Sequence, residues 1–161
     1  MHDMLVRLYD LPDLPRALDG SRRAGISVRR ALAPEAAAVI AWTQEHFPGS
    51  AAEVGIACGR MPLSCFIAVR EGRILGFACY DATARNFFGP EAVIEAERGR
   101  GVGRTLLLAA LHAQREQGYA YSIVGGVGPA EFYARTVGAV AIAGSTPGIY
   151  ADLLSFPPAA G

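Results

Sequence analysis

The chain has 161 residues, a length typical of a single domain, and 52% of them are apolar, which suffices for a hydrophobic core. Its 15 Lys and Arg residues balance 15 Asp and Glu residues, so the formal net charge is zero. This balance argues against a nucleic-acid partner and against an anionic membrane, because both usually require an excess of basic residues. No apolar stretch approaches the roughly 20 residues of a membrane-spanning helix.

The chain has an odd number of cysteines, and their spacings fit no zinc-binding pattern; they are Cys58, Cys65 and Cys79. Cys65 and Cys79 lie in apolar runs typical of strands. We therefore expect buried, reduced thiols, no metal site and a cytoplasmic protein. The N-terminus carries an acidic residue, Asp3, and leads into prolines, so it does not resemble a signal peptide.

The first half of the chain predicts a strand followed by two helices. Residues 1–25 contain two prolines and two glycines, and we expect either an extra strand with a helical turn or a loose N-terminal arm. An alternating pattern predicts a strand over 26–32. Pro34 then opens a helix that runs to residue 47, and a second helix is predicted over 51–60.

The middle of the chain predicts antiparallel strands. Two β-prone runs, 65–69 and 74–80, flank the turn residues 71–72 and form a predicted hairpin. A third antiparallel strand is predicted over 86–93. It contains the pair 89–90, Gly-Pro, and because proline removes a ladder donor we expect an irregularity such as a bulge there.

The last third predicts a crossover unit. A helix over 102–117 precedes a strand over 119–125, so that strand should lie parallel to the one before the helix. A short helix is predicted over 129–137 and a final strand over 139–143. The end of the chain, 151–161, is rich in proline and predicts a frayed tail.

The glycine-rich loop, residues 98–104, is the most informative stretch of the sequence. Its glycines allow close approach of the backbone, and the helix that follows adds free amides and the positive end of its dipole. This combination predicts a site for a phosphate or pyrophosphate. The loop does not match a P-loop, which needs glycine at position 98 and lysine at position 104, where this chain has Arg98 and Arg104. It does not match a Rossmann fingerprint starting at Gly101 either, because that motif needs glycine at position 106, where this chain has Leu106.

Arg98, Gly101 and Gly103 form an R-x-x-G-x-G pattern between a strand and a helix, and Phe132-Tyr133 precedes Val137-Gly138-Ala139. Together these segments resemble the two landmarks of the GCN5-related N-acetyltransferase (GNAT) family, and the resemblance covers about residues 26–150. It implies a single domain over 1–161 with an α/β fold of the α+β kind. The central sheet should be mixed and mostly antiparallel, with a splayed parallel strand pair and helices on both faces.

The resemblance implies acetyl-CoA as the co-substrate. Its pyrophosphate is expected on the amides of the loop, and its pantetheine arm on the strand before the loop. The cofactor-binding residues implied in this way are Ala92, Val93, Ile94, Arg98, Gly99, Arg100, Gly101, Val102, Gly103, Arg104 and Phe132. Tyr133 matches the family's tyrosine that protonates the CoA sulfur, and the Val93 amide is the expected oxyanion donor.

The general base is less defined by the sequence. Some family members carry a glutamate about eleven residues before the motif arginine, where this chain has Phe87. Glu91 is the only carboxylate in that strand and is our candidate catalytic base, although a surface charge is the commoner role for such a residue. Asp81, a chain of water molecules, His46 or an exposed His112 are the alternatives.

The acceptor site implied by the family lies between the first helices and the last strands, here 42–61 and 145–150. Four aromatic residues are candidates for its walls: Phe47, Phe87, Phe88 and Tyr150. Glu45 and Glu53 are the carboxylates in this zone, and so few of them favour a small amine over a polyamine. We therefore predict an acyl-CoA-dependent N-acyltransferase that transfers acetyl to a primary amine of a small molecule by direct attack.

Two other functions remain open at this point. One is a non-catalytic acyl-CoA-binding or sensing domain of the same fold, and the other is a nucleotide-binding protein. A homodimer is also plausible, because members of the family often pair through their sheets.

Overall fold

The computed structural model describes residues 1–154, so most of the predicted frayed tail, 155–161, lies outside the described part. Seven strands form one mixed sheet in the order β2-β3-β4-β5-β6-β1-β7. The strands are β1 (Met4–Arg7), β2 (Ser27–Arg30), β3 (Cys65–Arg70), β4 (Arg73–Tyr80), β5 (Phe87–Val93), β6 (Tyr121–Val124) and β7 (Val140–Ala141). The helices are α1 (Leu14–Arg23), α2 (Ala36–His46), α3 (Ala51–Cys58), α4 (Val102–Glu116) and α5 (Ala130–Val137).

The parallel pair of the sheet is β5 and β6, and it is short. Phe87 pairs with Ile123 and Phe88 pairs with Val124, after which β5 continues to Val93 paired with β4 but not with β6. Each of the other strand pairs is antiparallel. The two strands therefore diverge and leave a gap along the second half of β5, as expected for the splayed pair that the family resemblance implies.

The irregularity predicted in β5 is confirmed. Gly89 has a φ of +118°, and the pairing of β5 with β4 shifts register between Ala78 and Tyr80. The predicted hairpin is confirmed too, since Glu71 and Gly72 connect β3 to β4 with positive φ values of 49° and 72°. Positive φ at both turn residues matches the right-handed twist of the flanking strands.

The N-terminal segment is part of the sheet, so the expectation of a loose arm was wrong and that of an extra strand is confirmed. β1 lies between β6 and β7 and pairs antiparallel with both. α1 then packs against α4, and Asp13 caps its N-terminus by accepting a hydrogen bond from the Arg16 amide (3.4 Å). The local sequence did not specify this strand because its partners lie more than a hundred residues away.

Helices cover both faces of the sheet, each over its own apolar core. On one face α4 is mostly buried and packs with α1, α5 and the sheet; its fully buried leucines are Leu106, Leu107, Leu108 and Leu111. On the other face α2 and α3 cover β3 and β4 around Val54, Ile67 and Phe77. This arrangement places the start of α4 at the end of β5, beside the gap.

The three cysteines are free and buried, as expected. A hydrogen bond with Cys65, together with burial, raises the pKa of the Cys58 thiol, so this thiol stays uncharged. Within residues 1–154 no group of His, Cys, Asp or Glu side chains is arranged to hold a metal ion. None of the helices in that range is long and apolar enough to cross a membrane.

Candidate active site

The glycine-rich loop connects the end of β5 to α4 with two glycines in the left-handed region. Gly99 has a φ of +73° and Gly101, the residue before the first turn of α4, has a φ of +83°. L-residues with a side chain are strained there, which explains the glycines. No side chain in residues 1–154 caps the N-terminus of this 15-residue helix. Its first amides are therefore available to an anion.

A cleft of about 540 Å³, which we call the loop cleft, lies between the loop, β5 and α5. Its lining is Glu91, Ala92, Val93, Arg98, Gly99, Gly101, Gly103, Arg104, Pro129, Phe132 and Tyr133. The loop cleft thus brings together most of the residues that the sequence pointed to. Ile94 and Arg100 line other clefts, and Val102 is buried in the core.

Polar contacts fix the conformation of the loop. Arg98 donates from Nε to the Val93 carbonyl (3.0 Å), which ties the loop to the end of β5. Glu97 is buried, and each of its carboxylate oxygens accepts a hydrogen bond from Arg70, with Arg100 Nη1 3.9 Å from Oε2. These contacts turn Arg100 away from the loop cleft and leave Arg98 and Arg104 as its basic residues.

The amides of β5 alternate between the two sides of the strand. The Ile94 amide donates to the Leu75 carbonyl of β4 (2.9 Å), which fixes the ladder. Backbone amides of neighbouring residues in an antiparallel ladder point to opposite sides of the strand. The Ala92 amide therefore also faces β4, whereas the amides of Glu91 and Val93 face the gap. The amides of Glu91 and Val93 are thus the ones available to a ligand in the gap.

Glu91 is not the surface charge that its residue type suggested. Its carboxyl lies in the loop cleft beside the first turn of α4, where a Cβ added to Gly103 would be 3.4 Å from Oε1. Oε1 is buried and has no hydrogen-bond partner among the described residues. Burial raises the pKa of Glu91 to about 8, opposed only by a hydrogen bond from Tyr133. A neutral carboxyl group is therefore substantially populated at pH 7.

Tyr133 lies in α5, and its hydroxyl donates to Glu91 Oε2 (3.5 Å). Its ring is fixed by edge-on contacts with Phe132 and Phe88, at centroid distances of 5.1 and 6.2 Å. Burial and the neighbouring Glu91 raise its pKa, so the phenol keeps its proton at neutral pH. The F-Y landmark of the sequence thus places one ring on the cleft wall and one hydroxyl inside the cleft.

A second cavity of about 350 Å³, the gap pocket, opens where β5 and β6 begin to diverge. It is lined by Met1, Glu53, Thr83, Phe88, Gly89, Pro90, Gly125, Gly126, Thr146, Pro147 and Tyr150. Among the described residues Glu53 is the one carboxylate that lines it, and the Thr83 hydroxyl donates to this carboxylate. The lining is otherwise mostly apolar or backbone.

Tyr150 closes one side of the gap pocket. It packs on Gly125 and Gly126, and a Cβ added to Gly125 would collide with its hydroxyl and with the Phe87 ring. Asp3 accepts a hydrogen bond from the Gly126 amide (2.9 Å) nearby. The pKa of Tyr150 is raised mainly by desolvation, and also by the negative charges of Asp3 and Glu53. Asp3 was missed by sequence reasoning because it reaches this place only through the pairing of β1.

The other predicted acceptor residues divide clearly. Phe88, Tyr150 and Glu53 line the gap pocket, whereas Phe47 packs in the core under α2 and Glu45 is exposed elsewhere.

The three side chains considered as alternative bases lie outside the loop cleft and the gap pocket. Asp81 is buried, accepts from the Asn86 amide (2.6 Å) and lies 3.7 Å from Arg60, so it is not a surface charge either. His112 is half-buried, not exposed, and contacts the Pro12 carbonyl (2.9 Å). His46 is exposed and stacks on Trp42. None of the three lines either cavity.

Comparison with protein families finds a match over residues 62–136 to the model described as acetyltransferase (GNAT) domain. The matched segment contains β5, the glycine-rich loop, α4 and nearly all of α5. No curated protein matches the chain significantly.

Several solved structures share the fold. A GCN5-related glucosamine N-acetyltransferase region in a fungal multi-domain GH3 β-N-acetylglucosaminidase superposes with a TM-score of 0.71 at 18% identity, covering 88% of this chain and 19% of that one. A GCN5-related N-acetyltransferase from Sphaerobacter thermophilus gives 0.64 at 18% identity, covering 88% and 48%. Another from Kribbella flavida gives 0.59 at 19% identity, covering 87% and 53%. The chain thus spans between a fifth and about half of the length of these relatives.

Proposed function

The chain carries a GCN5-related N-acetyltransferase domain, and on this premise we propose that it is an acyl-CoA-dependent N-acyltransferase that acetylates a primary amine of a small molecule. The observation that carries the proposal is the meeting of two cavities on one strand. Phe88, Gly89 and Pro90 line the gap pocket, and the next three residues of β5 line the loop cleft. A donor in one cavity and an acceptor in the other would meet at the β5–β6 gap.

The loop cleft fits acetyl-CoA by three features of its residues. The first turn of α4 offers uncapped amides for a pyrophosphate, and the exposed Arg98 and Arg104 line the same cleft. Gly103 keeps open a space that a Cβ would fill. The Glu91 and Val93 amides face the gap, where they serve as donors to a pantetheine arm and to a carbonyl oxygen. When bound, the thioester supplies an activated acyl group.

The gap pocket fits an acceptor with an ammonium group. Glu53 offers a carboxylate held by Thr83, and the remaining lining is mostly apolar. One carboxylate matches one amine, which favours a small acceptor over a polyamine. The printed name of the fungal relative makes glucosamine the first acceptor to test.

Direct attack by the amine on the acyl carbon requires no enzyme nucleophile. The three cysteines are buried and line neither cavity, which supports this route over an acylated cysteine. The amine loses its proton to water in the open gap pocket, because Glu91 lies in the loop cleft and does not line that pocket. In this proposal Tyr133, which lines the loop cleft, protonates the departing sulfur from its hydroxyl.

The proposal is tested by thiol release from acetyl-CoA with glucosamine, lysine, a simple alkylamine and spermidine as acceptors. N-acetylglucosamine, whose nitrogen is blocked, serves as the negative control. We expect turnover with at least one small primary amine. Tight binding of acetyl-CoA without turnover on any amine would favour the sensing domain instead, and preference for ATP or NAD over CoA would contradict both.

Glu53→Gln is expected to raise the KM for the amine about tenfold with little change in kcat, because a charge-assisted contact of about 1.5 kcal/mol is lost from binding. Glu45→Gln is the matched control, since this carboxylate is exposed and lies outside the gap pocket. Equal kinetics for the two variants would remove Glu53 from the acceptor site.

The homodimer and the cytoplasmic location stay predictions.

A further inference from the structure

Resting on the proposed acyl transfer, we propose that the Glu91 carboxyl is the proton source for the departing thiolate and that the Tyr133 hydroxyl passes the proton on. This role differs from that of a base for the amine, because Glu91 lies on the donor side of the gap. It assigns a function to a carboxyl group whose Oε1 is buried without a hydrogen-bond partner among the described residues.

The placement of Glu91 carries the proposal. Its carboxyl lies between the first turn of α4 and the ring of Tyr133, and Oε2 is the atom that the Tyr133 hydroxyl contacts at 3.5 Å. Oε1 is buried and has no hydrogen-bond partner in residues 1–154, and Glu91 is one of the residues that line the loop cleft. A buried polar atom without a partner is costly in a folded protein, which points to a ligand or a proton-transfer role.

Proton affinities favour a two-residue pathway. A thiol has a pKa near 8.5, and a phenol near 10 before burial raises it further, as it does for Tyr133. Transfer from Tyr133 to a thiolate is therefore uphill unless the phenol regains a proton at once. Glu91, with a pKa of about 8, is close to the thiol in proton affinity and can restore that proton.

The charges around Glu91 leave it able to hold a proton. Tyr133 on α5 is the titratable group in direct contact with Glu91. The residue that pairs with Glu91 on β4 is Ala78, which carries no charge. Arg98 and Arg104 also line the loop cleft, but both are exposed and neither forms an ion pair with Glu91. The raised proton affinity thus follows from burial without an opposing cation.

The step balances as follows. The amine nitrogen bonds to the acyl carbon, and the carbon–sulfur bond breaks with its electron pair on sulfur. When Glu91 carries its proton on Oε2, the Tyr133 hydroxyl turns its own proton toward sulfur and accepts a hydrogen bond from Oε2. Tyr133 Oη then gives its proton to sulfur and takes the proton of Glu91, which becomes a carboxylate. The amine proton goes to water, and Glu91 regains a proton from water before the next turnover.

The first test is the pH dependence of kcat from about pH 6 to about pH 9.5, which brackets the pKa of Glu91. A weakly basic acceptor that stays neutral throughout this range removes the ionisation of the amine. We expect wild-type kcat to fall above about pH 8 as Glu91 loses its proton. Glu91→Gln should lose this limb and at least tenfold in kcat. Glu116→Gln, which changes an exposed glutamate, is the matched control and should keep both the fall above about pH 8 and the wild-type kcat.

A selenoester analogue of acetyl-CoA separates proton supply from a structural effect, because a selenolate leaves without needing a proton. We expect Glu91→Gln and Tyr133→Phe to lose at least tenfold with the thioester and less than threefold with the selenoester, relative to wild type. A merely structural role would reduce the rate with both donors equally, and that result would overturn the proposal.

A direct measurement needs no turnover. In the free protein, carbon-13 NMR of glutamate side chains should show one carboxyl that titrates near pH 8 and disappears in Glu91→Gln. A Glu91 signal that titrates near pH 4 instead would overturn the proposal. Wild type without turnover on any amine is the failure of the proposed function, whereas turnover with unchanged pH limbs in Glu91→Gln is the failure of this inference alone.

Discussion

Glu91→Gln is expected to remove most of the loss of stability that the wild-type protein shows between about pH 4 and about pH 8. The pKa of Glu91 is raised from about 4.5 to about 8 in the folded protein. Below about pH 4 the carboxyl is neutral in both states. As the pH rises, the unfolded chain ionises while the folded protein keeps the proton, so the free energy of unfolding falls until the pH passes about 8. The loss reaches at most about 5 kcal/mol.

Urea denaturation at about pH 5, 6.5 and 8 measures this effect. Because domains are stable by only about 5–15 kcal/mol, the wild type should unfold at clearly lower urea concentration at the highest pH. Glu91→Gln should show a much flatter dependence, since glutamine does not ionise, and Glu116→Gln should follow wild type. Parallel curves for wild type and Glu91→Gln would mean that Glu91 is ionised and solvated in the folded state.

The glycine-rich loop and the hairpin were predictable because their signals are local. Positive φ at Gly99, Gly101 and Gly72 is a property of single residues, and glycine marks such positions in the sequence. The irregularity at Gly89 was predictable from its neighbour Pro90, because proline removes a ladder donor. A predicted crossover helix also fixed the parallel pair, because a strand, helix and strand in sequence constrain each other. These features positioned most of the residues that line the loop cleft.

The gap pocket depends on contacts that no local pattern specifies. The gap pocket is lined from both ends of the chain, with Met1 at one end and Tyr150 at the other, and with Glu53 and Thr83 from between. Met1 reaches it only because β1 pairs with β6 and β7. Strand pairing at such sequence separation is set by packing of the whole sheet, so sequence reasoning left the N-terminal segment open between two forms.

Glu91 shows a different limit of sequence reasoning. A carboxylate next to Pro90 in a half-exposed strand ordinarily points to solvent, because burying an unpaired charge is costly. Its orientation is set by the register of β5 beyond the irregularity, which turns it toward α4 and α5. Only the positions of Gly103 and Tyr133 show that the carboxyl is enclosed. The surrounding fold thus tolerates a cost that residue preferences argue against.

Gly103→Ala is expected to weaken acetyl-CoA binding about 100-fold while leaving the fold intact. Gly103 is the second residue of α4, where alanine favours the helix by about 0.5–1 kcal/mol. The new Cβ would lie 3.4 Å from Glu91 Oε1 and 3.6 Å from a Val93 methyl, which is tolerable for folding. It would nevertheless occupy the floor of the loop cleft. Losing two charge-assisted hydrogen bonds of about 1.5 kcal/mol each gives the expected factor.

Isothermal titration with acetyl-CoA and thermal unfolding together separate affinity from stability. Gly20→Ala is the matched control, because it adds a methyl group to a helical glycine of α1 with nothing within 4 Å. Both variants should keep or raise the melting temperature, and only Gly103→Ala should lose affinity. An unchanged affinity in Gly103→Ala would show that the pyrophosphate is not held at the first turn of α4. The assignment of the loop cleft as the donor site depends on that contact.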